Sequence, residues 1–156
     1  MTKNFTVRQL GGEEAPAIAT MVGKLLKELS PDNADTVDDE YLEETAYMLL
    51  DDSMRVWAFL AFDEDGEPIG VLTLSESAAI YAGGVYGEIT ELHVKPSYRS
   101  SGVGAALLET AREFSRKRGW KRLEVSAPDS FLGDRTLDFF TRQGFAEGGP
   151  RLRLIL

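Results

Sequence analysis

The chain has 156 residues, enough to bury a core in one compact domain (residues 1 to 156) and too few for two ordinary ones. A composition of 43% hydrophobic and 28% charged residues is globular, and a formal net charge of -9 argues against a nucleic-acid-binding role. Cysteine is absent and His93 is the only histidine, which excludes disulfides, thiolate chemistry and a zinc site built from several imidazoles.

Phe5, Val7 and Leu10 start a short strand. Ile18, Met21, Val22, Leu25, Leu26 and Leu29 then recur at helical spacing and stop at Ser30-Pro31. Thr36 and Asp39 have the spacing of a capping box for a second helix through Leu50, with Leu42, Thr45, Ala46 and Leu49 inward. Val56 to Phe62 and Ile69 to Leu74 read as strands joined by the hairpin signal Asp63-Glu64-Asp65-Gly66-Glu67-Pro68. Ser75 to Gly84 reads as a loop or the frayed end of the second strand. Val85 to Val94 is another strand, ended by Pro96. Gly102 to Lys117 is helical, with Leu107, Leu108, Ala111 and Phe114 on one face. Leu123 to Ser126 is a strand, Asp134 to Gln143 a helix closed by Gly144, and Leu152, Leu154 and Leu156 alternate in a final strand. This order is an α/β layout around a mixed sheet, with early antiparallel hairpins and later crossover helices.

No apolar run approaches the roughly 20 residues that span a bilayer. The first residues, Met-Thr-Lys-Asn-Phe-Thr-Val-Arg, lack a secretory signal's apolar stretch, so the expected location is cytoplasmic with no membrane partner. Charge is unevenly spread. Residues 28 to 65 hold thirteen acids against Arg55 alone, whereas residues 95 to 122 hold eight bases against Glu109 and Glu113. One region therefore suits a polyanionic ligand and another favours a cation.

Glu88 to Val94 runs through Lys95-Pro96-Ser97-Tyr98 into Arg99-Ser100-Ser101-Gly102-Val103-Gly104 and then a helix. A helix start exposes backbone N–H groups that have no intrahelical acceptor, and Gly102 and Gly104 permit close approach of a ligand. Such a turn can cradle a phosphate or pyrophosphate, with Arg99 and Lys95 adding positive charge. A bare Gly-x-Gly can equally begin a helix with no ligand. The triphosphatase and dinucleotide fingerprints are both absent.

The string Leu92-x-Val94-x-Pro96-x-x-Arg99-x-x-Gly102-x-Gly104, followed by a helix with Leu107-Leu108, resembles the coenzyme-A-binding motif of the GCN5-related N-acetyltransferases (GNAT). Phe139-Phe140-x-x-x-Gly144-Phe145 resembles that family's second signature, usually Phe-Tyr-x-x-x-Gly-Phe. The element order is similar from about Phe5 to Leu156. The resemblance implies a mostly antiparallel central sheet with splayed middle strands, flanked by helices. It also implies that acetyl-coenzyme A lies between the strand ending at Val94 and the strand around Val125. Backbone groups of Leu92, His93 and Val94 would meet the pantetheine arm. Arg99, Ser100 and the N–H groups of Ser101, Gly102, Val103, Gly104 and Ala105 would hold the pyrophosphate, and Phe139 and Phe140 would flank the coenzyme.

Direct transfer to an amine needs a proton acceptor, because an aliphatic ammonium has a pKa around 10. Glu88 and Glu91 match family positions for that group, Glu88 first. Strand alternation puts them on opposite faces unless a bulge intervenes, and bulges are common beside active sites. His93 reads as structural. Phe140 stands where many relatives carry a tyrosine that protonates the departing thiolate, and phenylalanine has no proton to give. Tyr81, Tyr86, Ser126 or water are the substitutes on hand.

The implied activity is N-acetyl transfer from acetyl-coenzyme A to the primary amine of a small acceptor. Charge placement makes that acceptor a cation: Asp32, Asp35, Asp38, Asp39, Glu40, Glu43 and Glu44 fall in segments that select substrate in this fold. The alternatives are a protein lysine or N-terminal acetyltransferase and a non-catalytic coenzyme-A-binding module. No metal is expected, and the terminal leucine alternation points to sheet completion or a homodimer.

Overall fold

The computed structural model describes residues 4–126, 130–149 and 151–156. The chain divides into two compact units, Met1–Val125 and Ser126–Leu156. The first contains β1 (Phe5–Leu10), α1 (Ala15–Leu29), α2 (Asp39–Leu49), β2 (Val56–Asp63), β3 (Pro68–Ala79), β4 (Gly84–Val94), α3 (Val103–Lys117) and β5 (Leu123–Val125). The strands follow in the order β1-β2-β3-β4-β5, antiparallel until β4 and β5 pair in parallel. The result is an α/β fold with a mostly antiparallel central sheet flanked by helices.

Alternation along β2 and β3 supplies two buried faces. Ala58, Leu60, Phe62 and Val71 meet Ile18 and Met21 of α1. Trp57 and Phe59 face the opposite way, toward Phe114 of α3, with ring centroids 5.0 and 5.6 Å away. A sheet covered on both sides needs near-continuous apolar strands, and Ala58 to Ala61 are all fully buried. Leu26 and Leu29 lie at the edge of the α1 stripe and stay 38% and 40% exposed.

Three local expectations change and one open choice is settled. Asp38, not Thr36, caps α2: its side chain accepts the Tyr41 N–H at 3.1 Å, while the Thr36 hydroxyl donates to the Asn33 carbonyl inside a 3-10 turn over Pro31–Thr36. Of the two readings of Ser75 to Gly84, a loop or the frayed end of the second strand, the strand holds as far as Ala79. It continues β3 opposite Gly84 to Glu88, and from Glu76 on runs past the β2 residues it pairs with, because β4 supplies a partner for every residue. Small side chains there had left the choice open. In the second unit α4 spans Ser130–Arg142, beginning earlier than Asp134. Finally, Leu152, Leu154 and Leu156 form no strand; residues 151–156 have no ladder partner among the described residues and these leucines are exposed. Alternation alone names a face but not a partner strand.

The α4 end explains part of a sequence signature. Gly144 has φ +98°, its N–H reaches the Thr141 carbonyl at 3.0 Å, and the Phe145 N–H reaches the Phe140 carbonyl at 3.0 Å. This is a Schellman closure, and the Phe140 and Phe145 rings make its usual apolar contact at 5.2 Å.

Candidate functional site

The site begins where β4 and β5 part. β4 pairs with β3 along its whole length but with β5 only over Gly87, Glu88 and Ile89. From Thr90 to Val94 the β5-facing edge of β4 has no strand partner among the described residues. Two features set the limit of pairing. Gly87 donates its N–H to the Arg122 carbonyl at 3.1 Å, and its missing side chain admits the Trp120 ring. Beyond it, β4 bulges.

The bulge is at Thr90. Thr73 lies opposite Glu91 and Leu74 opposite Ile89, which leaves Thr90 with no counterpart. Thr73 and Ser75 share a face of β3, so their partners Glu91 and Glu88 share it too. Simple alternation had separated these two glutamates; the extra residue brings them together, with Tyr86 opposite Ser77 on the same face. Buried Thr73 holds the turn of the chain. Its hydroxyl donates to Glu91 Oε1 at 2.5 Å, accepts the Glu91 N–H at 3.0 Å, and lies 2.7 Å from the Thr90 hydroxyl. Glu88 is in register with Glu124 of β5, inside the paired stretch.

At the far end of β4, the Lys95 N–H donates to the Ile69 carbonyl at 2.9 Å. Antiparallel alternation then pairs His93 with Val71 and turns the backbone groups of Leu92 and Val94 toward the open edge. The Val94 carbonyl accepts from Arg99 Nε at 3.0 Å. The rest of the Arg99 guanidinium grips both oxygens of Glu28 on α1, at 2.7 and 2.5 Å. Arg99 is therefore a tie between α1, β4 and the turn. Glu28 also lies 3.5 Å from Nδ1 of His93, which is 5% exposed. Burial pushes the His93 imidazole below its ordinary pKa, Arg99 and Lys24 push the same way, and Glu28 opposes them.

After Arg99 the backbone enters the left-handed region twice, at Ser100 (φ +63°) and Gly102 (φ +92°). The Ser101 hydroxyl donates to the Tyr98 carbonyl, and no side chain caps α3 at Gly102. The first intrahelical bond runs from the Ala106 N–H to the Gly102 carbonyl, so the N–H groups of Gly102, Val103, Gly104 and Ala105 precede the helical ladder. Val103 is buried and anchors this end of the helix. An uncapped helix start next to an open strand edge has the donors that a pyrophosphate and an amide-containing arm require. The residues present fit coenzyme A.

A family model for the acetyltransferase (GNAT) family matches residues 22–145. The chain belongs to the GNAT acetyltransferase family. Among solved structures, an aminoglycoside acetyltransferase from an uncultured soil metagenomic sample is 21% identical with a TM-score of 0.77, covering 97% of this chain and 96% of that one. A ribosomal-protein-alanine N-acetyltransferase from Brucella melitensis biovar Abortus 2308 is 21% identical with a TM-score of 0.74, covering 98% and 99%. An uncharacterised N-acetyltransferase of Methanocaldococcus jannaschii is 37% identical over 60 residues. That stretch is 38% of this chain and 26% of the relative, so the match spans about a quarter of the relative's length.

The GNAT strand and turn thus bring together Glu88, Glu91, Leu92, His93, Val94 and Arg99 through Ala105 in the first unit. Phe139 and Phe140 lie in the second, where Phe140 is buried and its ring centroid is 5.3 Å from that of Phe139. Of the alternative proton donors, Tyr86 is buried, and its hydroxyl, then the charge of Glu124, raises the Tyr81 pKa. Ser126 accepts from Arg151. Sequence reasoning missed Thr73, Thr90 and Glu28. Only a located bulge could have pointed to the threonines, and nothing local links Glu28 to a residue 71 positions away. Among the described residues no cluster of three or more acids or histidines is placed to hold a metal, and no helix is long and apolar enough to cross a membrane.

Proposed function

We propose that this GNAT protein is an acetyl-coenzyme-A-dependent N-acetyltransferase whose acceptor is a small cationic amine. One observation carries the proposal: the open edge of β4 runs straight into an uncapped helix start, with two carboxylates on one face beside it. Acetyl-coenzyme A, when bound, supplies the activated thioester carbonyl.

The chain does the rest. Leu92 and Val94 offer strand-like backbone hydrogen bonds to the pantetheine arm, while the N–H groups from Gly102 to Ala105 hold the pyrophosphate; that of Ser101, expected to join them, donates to the Tyr98 carbonyl at 3.3 Å instead. Arg99 keeps the turn against Val94 and Glu28. Glu91, the first residue past the bulge, accepts the ammonium proton directly or through water. Glu88, still within the β5-paired stretch and beside Glu124, attracts and orients the cation. The roles are divided this way because Glu91 alone adjoins the unpaired edge.

The test is thiol release from acetyl-coenzyme A over polyamines, aminoglycosides, amino acids and lysine peptides. Glu91→Gln is expected to lower kcat about 100-fold, the low end for loss of a general base, and to flatten the pH profile. Glu88→Gln should mainly raise KM for the amine. If Glu91→Gln keeps full activity and an unchanged profile, the assignment of the base is wrong. Preferential acetylation of a lysine or N-terminal peptide would make the acceptor a protein, and coenzyme binding without turnover on any amine would make the chain a non-catalytic module.

A further inference from the structure

Thr73 is buried on β3, a strand that carries none of the family's signature residues, yet its hydroxyl makes three contacts at one point of the bulge. It accepts the N–H of Glu91, the residue that follows the bulge, at 3.0 Å. It donates to Glu91 Oε1 at 2.5 Å. Its second lone pair faces the Thr90 hydroxyl at 2.7 Å, and Thr90 in turn lies 3.5 Å from the same carboxylate oxygen. One proton and two lone pairs are all that a threonine hydroxyl has, and this geometry uses each.

We propose that Thr73 is a positioning residue for acyl transfer, fixing both the backbone and the carboxylate of Glu91 at the edge where β4 leaves β5. It rests on the reading of Glu91 as the proton acceptor. A glutamate on a strand has three free torsions, and an acceptor held by nothing would spend little time aimed at one proton. Thr73 takes up the backbone N–H and one carboxylate oxygen together, so the side chain is tied at both ends. The other oxygen, Oε2, is left for the amine or a water. Thr90, the bulged residue, closes the network from the exposed side. A purely structural threonine would need only the backbone contact.

Isosteric substitution separates the two roles. Thr73→Val removes the hydroxyl and keeps the shape; Thr73→Ser keeps the hydroxyl. Thr73→Val is expected to lower kcat about 10- to 100-fold, the scale of a misplaced catalytic group, with KM for acetyl-coenzyme A within about twofold. Thr73→Ser should restore most of the loss. In the Glu91→Gln background Thr73→Val should cost nothing further, because the group it positions is already gone. Equal losses in the two backgrounds, or no rescue by serine, would overturn the proposal. Amide hydrogen exchange judges the tie without any turnover: Glu91 should lose protection in Thr73→Val and keep it in Thr73→Ser. Unchanged protection in Thr73→Val would refute the clamp, whereas wild-type inactivity on every amine with these exchange changes present would refute the activity alone.

Discussion

His93 illustrates how one buried side chain couples a site to pH. Its neutral form is favoured in the fold by burial, with Arg99 and Lys24 contributing and Glu28 opposing. The unfolded chain then binds a proton more readily than the folded one between the lowered pKa and about 6.5. Stability is therefore full above that range and falls as the pH drops through it. Urea midpoints between pH 7.5 and 5 should decline, and His93→Gln should flatten the decline. An unchanged slope would mean that other groups govern this window. At this scale the sequence marked His93 as structural and Arg99 as a cation for phosphate. The first role matches its burial. For Arg99 the partner that redefines it, Glu28, comes from α1, and no local pattern encodes a pairing across 71 residues.

The elements were legible wherever apolar periodicity was strong. Ile18 and Met21 on α1, Leu107 and Leu108 on α3, and the continuous run in β2 all lie in the core. The pattern left a choice open, or misled, where a partner rather than a pattern decides the state: the far half of β3, written mostly in small residues, stayed between loop and strand, and the terminal leucines read as a strand they do not form. The bulge belongs to the same class, since Thr90 is set apart only by the register of β3. Gly87 is the clearest structural determinant of the opening. A Cβ there would sit 2.5 Å from two Trp120 ring carbons and 2.7 Å from Leu123. The indole has little room to retreat: its N–H donates to Glu76 at 2.8 Å and its ring packs on Trp57 and Phe114. Gly87→Ala should therefore cost about 2–3 kcal/mol by overpacking. Chemical denaturation measures the cost, and exchange of the Gly87 position's own amide, which donates to Arg122, should rise if β5 is displaced. A neutral substitution would show that Trp120 is more mobile than its contacts imply.

Across the molecule, the uneven charge read from the sequence survives, but much of it is already used. Asp38 and Asp51 cap, Asp63 accepts two backbone N–H groups in its hairpin, Asp39 pairs with Lys27, and Glu28 holds Arg99. On the basic side Arg118 stacks 4.3 Å over Trp57 and binds Glu76, while Arg112 and Arg116 share Glu109. Of the acids on the 3-10 turn and α2, Asp32, Asp35, Glu40, Glu43 and Glu44 have the least local duty, and all are exposed. If these attract the acceptor, their effect is long-range, and added salt should weaken it as the screening length shrinks to about 10 Å at 0.1 M. Raising salt from about 20 to 200 mM should lower kcat/KM for a diamine about fivefold and leave a neutral amine nearly unchanged. Neutralising Asp35, Glu43 and Glu44 together should reproduce at low salt the loss that added salt causes for the diamine, without changing the KM for acetyl-coenzyme A. Among the described residues no hydrogen bond or ion pair joins these three to the β4 edge or the α3 turn, so a fall in coenzyme affinity would point to damage rather than lost steering. Equal rates for cationic and neutral amines at low salt would remove the electrostatic basis for a cationic acceptor and leave the shape of the opening to select it.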